Sequence, residues 1–134
     1  MKPVGNELKV EIGGYQTGNV PPLLHEIRHA LGQLLDTGET TTIDLRGLPM
    51  APGEQDQLIN FLGKGEINAR LDALGESEII ETGFPGIWLI IHYNTNHEIM
   101  GKFIEITRMP AILETQINDM EDALASLEVK LKEL

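Results

Sequence analysis

His25-Glu26-Ile27-Arg28-His29 is the one stretch of the chain whose residue types and spacing spell out a reaction. It fits the pattern H-E-x-x-H, and Gly32 extends it to H-E-x-x-H-x-x-G. Two histidines four apart on a helix stand about 40° from one another on the wheel. From that face they could hold Zn²⁺, with Glu26 as general base on a metal-bound water. Such a centre needs a third protein ligand. The metzincin position for it, three residues past Gly32, is Leu35, which belongs to an apolar stripe, and Glu54 is available only by its distance. The two histidines lie opposite the centre of that stripe, at Ile27 and Leu31, where a solvated polar face is expected. The expectation is therefore no catalytic residue and no cofactor. His25 and His29 remain the metal candidates, and a zinc-dependent hydrolase built on them is the alternative reading.

The other chemistry-bearing residues narrow the field further. His92 sits inside a strand-like run and His97 follows an asparagine turn, neither with a serine or carboxylate at a triad-like spacing. Gly63, Gly65 and Gly75 make neither a G-x-G-x-x-G loop nor a P-loop. Cysteine is absent, which excludes disulfides, a thiol nucleophile, and thiolate-held zinc or iron–sulfur centres. Ten Lys+Arg against 21 Asp+Glu give a net charge of −11, and no basic stripe interrupts it. Such a chain repels phosphate backbones, so nucleic acid is not an expected partner and a cationic protein segment is. Glu76, Glu78 and Glu81 form an acidic run and are the expected contact for that partner, with Trp88 as apolar anchor if its face is open. The blander reading makes the glutamates a solvated strand face and Trp88 a core residue, and for Trp88 the core reading is preferred.

These residues need elements to position them. Residues 1–20 read as a flexible lead-in, with a weak alternation at Leu8, Val10 and Ile12, and 21–134 as a single domain. Pro21-Pro22 opens a helix that carries Leu23, Leu24, Ile27, Ala30, Leu31, Leu34 and Leu35 as one stripe and stops at Gly38. Thr40 to Leu45 reads as a strand, and Gly53 to Leu62 as a second helix with Leu58, Phe61 and Leu62 inward. Ile67, Ala69, Leu71 and Ala73 alternate with polar residues as a strand with one dry face. Three more strands follow at about 77–82, 86–94 and 98–108. Ile87 to Ile91 is apolar on both faces, which marks a central strand. Ile67, Leu71, Leu89, Ile91 and Ile104 are the expected sheet core. The fold class that results is α+β: a mostly antiparallel sheet of four to five strands, helices on one face, and a long C-terminal helix.

From Pro110 the chain reads as helical to its end. Leu113, Ile117, Met120, Leu124, Leu127, Leu131 and Leu134 step by 4, 3, 4, 3, 4 and 3, a heptad seam. It either pairs two copies as a homodimer or lies on the chain's own sheet. The first residues, Met1 to Glu7, never reach an apolar stretch, and the longest apolar run is the five residues from Ile87 to Ile91. Neither an export signal nor a membrane span is expected, and the cytoplasm is the default address.

HEIRHAL at His25 to Leu31, TIDLRGLP at Thr42 to Pro49, GEINARLDALGESEI at Gly65 to Ile79, TGFPGIWLIIH at Thr82 to His92 and FIEITRMPAIL at Phe103 to Leu113 form a specific set. Together they resemble the C-terminal conserved region of the HupH/HyaF family of hydrogenase expression and formation proteins, from about residue 22 to 116. The resemblance implies a non-catalytic, chaperone-like accessory factor in the maturation of uptake nickel–iron hydrogenase. It implies as partners the iron–sulfur small-subunit precursor, before its twin-arginine export, and other maturation factors. It carries over no catalytic residues. Family members usually have a further N-terminal half, which this sequence does not show.

Overall fold

The computed structural model describes residues 17–134. Most of the expected lead-in, with its Leu8 to Ile12 alternation, lies outside the described residues. Helix α1 (Val20–Thr37) begins with prolines in its first turn, where their missing N–H costs no hydrogen bond. It ends where Gly38 turns left-handed at φ 78° and donates its N–H to Leu34 O at 2.9 Å. Leu23, Ile27 and Ala30 are buried, with Leu24, Leu31 and Leu34 half-buried beside them. Leu35, expected in the same stripe, is exposed; it stands about 80° round from Ile27, at the margin of the apolar face.

Five strands follow: β1 (Thr41–Asp44), β2 (Asn68–Ala73), β3 (Gly75–Glu81), β4 (Ile87–Tyr93) and β5 (Ile99–Ile106), with α2 (Glu54–Leu62) between β1 and β2. They form one sheet in the order β1-β5-β4-β3-β2, antiparallel throughout. β2 to β5 run as a meander, and β1 closes the far side of β5. The two-faced apolar strand, β4, is the central one. The fold is α+β, as the element pattern requires.

Register decides which residues meet. Ile43, Ile104, Leu89 and Ile80 sit opposite one another across successive strands. With Ile87 and Ile106 they make the face against which α1 and α2 bury Leu23, Ile27, Leu58 and Leu62. On the other face Ile79, Trp88 and Ile90 form a smaller cluster, against which Ala69, Ile112 and Leu113 pack.

The expectation for β2 was wrong in part. Ile67, Ala69, Leu71 and Ala73 do share a side, but only Ala69 packs on a buried cluster, and Leu71 is 38% exposed. The cause is position. β2 is the outermost strand, and its apolar side looks onto the face where, among the described residues, one short turn packs. Leu89 and Ile104 are core as expected, and Ile91 packs half-buried against it.

The chain after Pro110 is also not one helix. Ala111–Leu113 is a 3₁₀ turn whose Ile112 and Leu113 rest on the sheet. Glu114 and Gln116 are extended, and α3 (Ile117–Leu131) starts afresh. Packing of Leu113 therefore takes the first residue of the seam out of the helix. No residue of α3 is buried, so the helix does not lie on its own sheet. Among the described residues no helix is long and apolar enough to cross a membrane.

Candidate functional site

An apolar groove of about 380 Å³ lies at one end of the domain. One wall is the outer edge of α1, with Pro21, Leu24, Ile27 and Leu31; the other is Phe61, from the last turn of α2, with Phe84 from the β3–β4 turn. The burial of Leu58 and Leu62, four apart on α2, leaves Phe61 on the flank, 61% exposed rather than inward as its sequence position suggested. Its ring stacks on that of Phe84, with centroids 6.2 Å apart and planes 11° from parallel.

The turn that presents Phe84 is held tightly. Thr82 Oγ1 donates to Ile87 O at 2.8 Å and accepts the Phe84 N–H at 3.2 Å. Gly83 N–H donates to Leu62 O at 2.8 Å, which ties the turn to the end of α2. Gly86 has φ 96°, and a Cβ there would also sit 3.1 Å from Leu31 Cδ1 on the groove wall. This groove was not legible beforehand: its residues come from three separate segments, and Phe61 and Phe84 meet only through the fold.

The H-E-x-x-H residues border this groove. His25 and Arg28 stand on its rim, and His25, Glu26 and His29 are all exposed. Among the described residues no group of three or more His, Asp or Glu side chains is placed to hold a metal ion. Glu54, the ligand suggested by distance, is 1% exposed and otherwise engaged. Its carboxylate accepts from Thr17 Oγ1 at 2.6 Å, Ala51 N–H at 2.7 Å, Thr17 N–H at 3.2 Å and Gly18 N–H at 3.3 Å. The Thr17 hydroxyl and the Ala51 N–H hold the carboxyl below its ordinary pKa, against the opposing effect of burial.

The acidic run does not form one patch. Side chains alternate along β3, so Glu76 and Glu78 fall on one face and Glu81 on the other. Glu76 pairs with Arg70 Nε at 2.7 Å, and Arg70 Nη2 lies 3.9 Å from Glu78. Tyr93 donates its hydroxyl to Glu78 Oε1 at 2.9 Å, a bond that raises the tyrosine pKa because losing the proton would place two anions together. Glu81 accepts the Glu66 N–H at 3.0 Å. Trp88 is only 5% exposed and donates Nε1–H to Thr107 O at 3.1 Å. It is a core residue, not an open anchor.

One pair escaped the sequence reading. Ser77 and His92 are direct cross-strand partners, and Ser77 Oγ lies 2.7 Å from His92 Nδ1, with the Phe103 ring edge-on to the imidazole. The separation of 15 residues hid it; only the β3–β4 register brings the two together. A nucleophile pair would need a carboxylate to orient the imidazole. Glu105, on the same face, sits opposite Trp88, four residues along β5 from Gly101, the partner of His92. Burial pushes the Glu105 carboxyl up, against the Ala111 N–H and the charge of His92.

The whole is an α+β domain with an all-antiparallel sheet, two helices on one face, and an apolar groove at one end. Residues 17–134 match the family model for the HupH hydrogenase expression protein, C-terminal conserved region, and the chain belongs to that family. It is similar to the hydrogenase expression/formation protein HupH of Rhizobium leguminosarum bv. viciae, 26% identical over 81% of this chain and 39% of that one. It is also similar to the hydrogenase expression/formation protein HoxQ of Cupriavidus necator, 25% identical over 95% of this chain and 46% of that one. The chain thus spans less than half the length of these curated relatives. Among solved structures it resembles the hydrogenase expression protein HupH from Thiobacillus denitrificans. That match has a TM-score of 0.85 and 40% identity, and it covers 90% of this chain and all of that one.

Proposed function

We propose that this chain serves hydrogenase maturation without catalysing a reaction, in the cytoplasm, by binding the iron–sulfur small-subunit precursor of an uptake nickel–iron hydrogenase. The observation that carries the proposal is the apolar groove with its stacked Phe61 and Phe84, held open by a hydrogen-bonded turn. A groove of this kind fits an apolar peptide segment, because large rigid aromatics supply contact area at small entropic cost. The relatives' names support the process, and the net charge of −11 suits a partner whose export signal carries paired arginines.

The test is capture of purified small-subunit precursor by the wild-type chain and by a Phe61→Asp, Phe84→Asp variant. The wild type is expected to retain the precursor and the variant to lose it, with unchanged Trp88 fluorescence showing that the fold survives. Equal retention by both chains would remove the groove from the interface. Retention of other hydrogenase components but not of this precursor would remove the precursor from the proposal.

A further inference from the structure

Ile117, Met120, Leu124, Leu127 and Leu131 line one side of the 15-residue helix α3, each between 51% and 69% exposed. No described part of the chain buries any of them. A lone helix of roughly 12–15 residues is marginal in water, and helices in proteins owe most of their stability to a covered apolar face. Leu113, one step earlier in the same series, rests on the Ile79, Trp88 and Ile90 cluster. The root of the helix is thereby fixed, and its body leaves the sheet.

We infer that α3 is a dimerisation helix that pairs in parallel with α3 of a second copy of this chain. Two features of the helix select that occupant. The steps of 3, 4, 3 and 4 average 3.5 residues, the period at which two helices keep a common seam, and the surface that matches such a seam best is an identical one. The flanking charges then choose the direction. Glu121 and Glu128 lie along one edge of the seam, at e positions of the heptad, and Ala123 and Lys130 along the other, at g positions. An antiparallel pair, with Leu124 of each copy packed on Leu127 of the other, would set Glu121 of each copy beside Glu128 of the other, two like-charge contacts. A parallel pair sets Ala123 beside Glu128 and brings no acidic residue at a g position of α3 against Glu121, so neither place is repulsive. The arrangement closes on itself by a two-fold axis and leaves the groove of each copy free.

The chain has no cysteine, so single cysteines report which residues face each other. Light scattering on the wild type is expected to give a dimer mass at high concentration. Leu124→Glu with Leu127→Glu is expected to give a monomer with native Trp88 fluorescence. Under mild oxidation, Met120→Cys alone and Leu131→Cys alone should each cross-link to a dimer, since in a parallel seam every position meets its own copy. A wild type that stays monomeric, or a dimer that survives the double glutamate change, overturns the inference. Cross-linking of Met120→Cys only with Leu131→Cys, and not with itself, overturns the parallel pairing. The Phe61→Asp, Phe84→Asp variant should still dimerise, so failure of this inference and failure of the groove reading give different results.

Discussion

The hydroxyl of Thr17 donates to Oε1 of Glu54 at 2.6 Å, and this contact, across 37 residues, pins the segment entering α1 to the first turn of α2. The same carboxylate accepts three backbone N–H groups, from Thr17, Gly18 and Ala51. Glu54 also stands at a helix N-terminus, where negative charge is favoured. A carboxyl accepting this many hydrogen bonds is stabilised as the anion, and its pKa is lowered from 4.5.

The first prediction follows from the sign of that shift. A group whose folded pKa is depressed stabilises the fold above its unfolded pKa and loses the contribution as pH falls through the folded value. Glu54→Gln should therefore lower the urea midpoint at neutral pH. The gap between variant and wild type should narrow progressively below about pH 4.5, the unfolded reference value. A gap that is constant from pH 7 to pH 3 would show that the charge of Glu54 contributes nothing.

The second prediction separates the two sides of the sheet. Ile104 is fully buried between β1 and β4, so Ile104→Ala should cost about 2–5 kcal/mol as a large-to-small core change. Leu71, on the outer strand and 38% exposed, should cost distinctly less on the same change, about 1 kcal/mol. Denaturant melts followed through Trp88, the single tryptophan, measure both. Equal losses would mean that the face around Leu71 is covered.

That contrast also shows what the sequence could and could not reveal. Periodicity located the strands, because alternation and two-sided apolarity are local properties, and it placed β4 at the centre. Periodicity also told which side of β2 is apolar, but not whether anything covers it, since Leu71 depends on how much chain packs on the far face. The seam of α3 was visible as spacing, whereas the break after Leu113 comes from that residue's packing on the Ile79, Trp88 and Ile90 cluster, a tertiary fact. The candidate site was the least legible part. Phe61 and Phe84 lie 23 residues apart in unrelated elements, and Ser77 meets His92 only through strand register.

The third prediction concerns the motif that looked most like chemistry. His25 and His29 project from the exposed side of α1, with no third ligand placed near them among the described residues. His25→Ala with His29→Ala should change stability by no more than about 0.5 kcal/mol, the scale usual for exposed positions. Maturation of hydrogenase, assayed as activity in cells lacking the native factor, should be largely retained, because the groove's contact area comes from Phe61, Phe84 and the leucines of α1. Complete loss of activity with a folded variant would show that the pair has a functional role.

The last prediction rests on how the acidic residues are distributed. Had Glu76, Glu78 and Glu81 formed one free patch, a cationic partner segment would dock there, and their removal would abolish its attraction. Instead Arg70 and Tyr93 engage the first two, and strand alternation sends the third to the opposite face. Attraction to the proposed partner would then be spread over the whole charge of −11. Changing all three glutamates to glutamine takes the net charge from −11 to −8. Binding of the small-subunit precursor, measured by calorimetry, should weaken modestly with this change and more strongly as salt rises, because exposed charges are screened beyond roughly 8 Å at physiological ionic strength. If the triple change abolishes binding while the fold is intact, the contact is local after all. If affinity is the same at low and high salt, and the same for precursor and for small subunit lacking its export signal, the charge has no part in recognition, and the apolar groove carries the interaction alone.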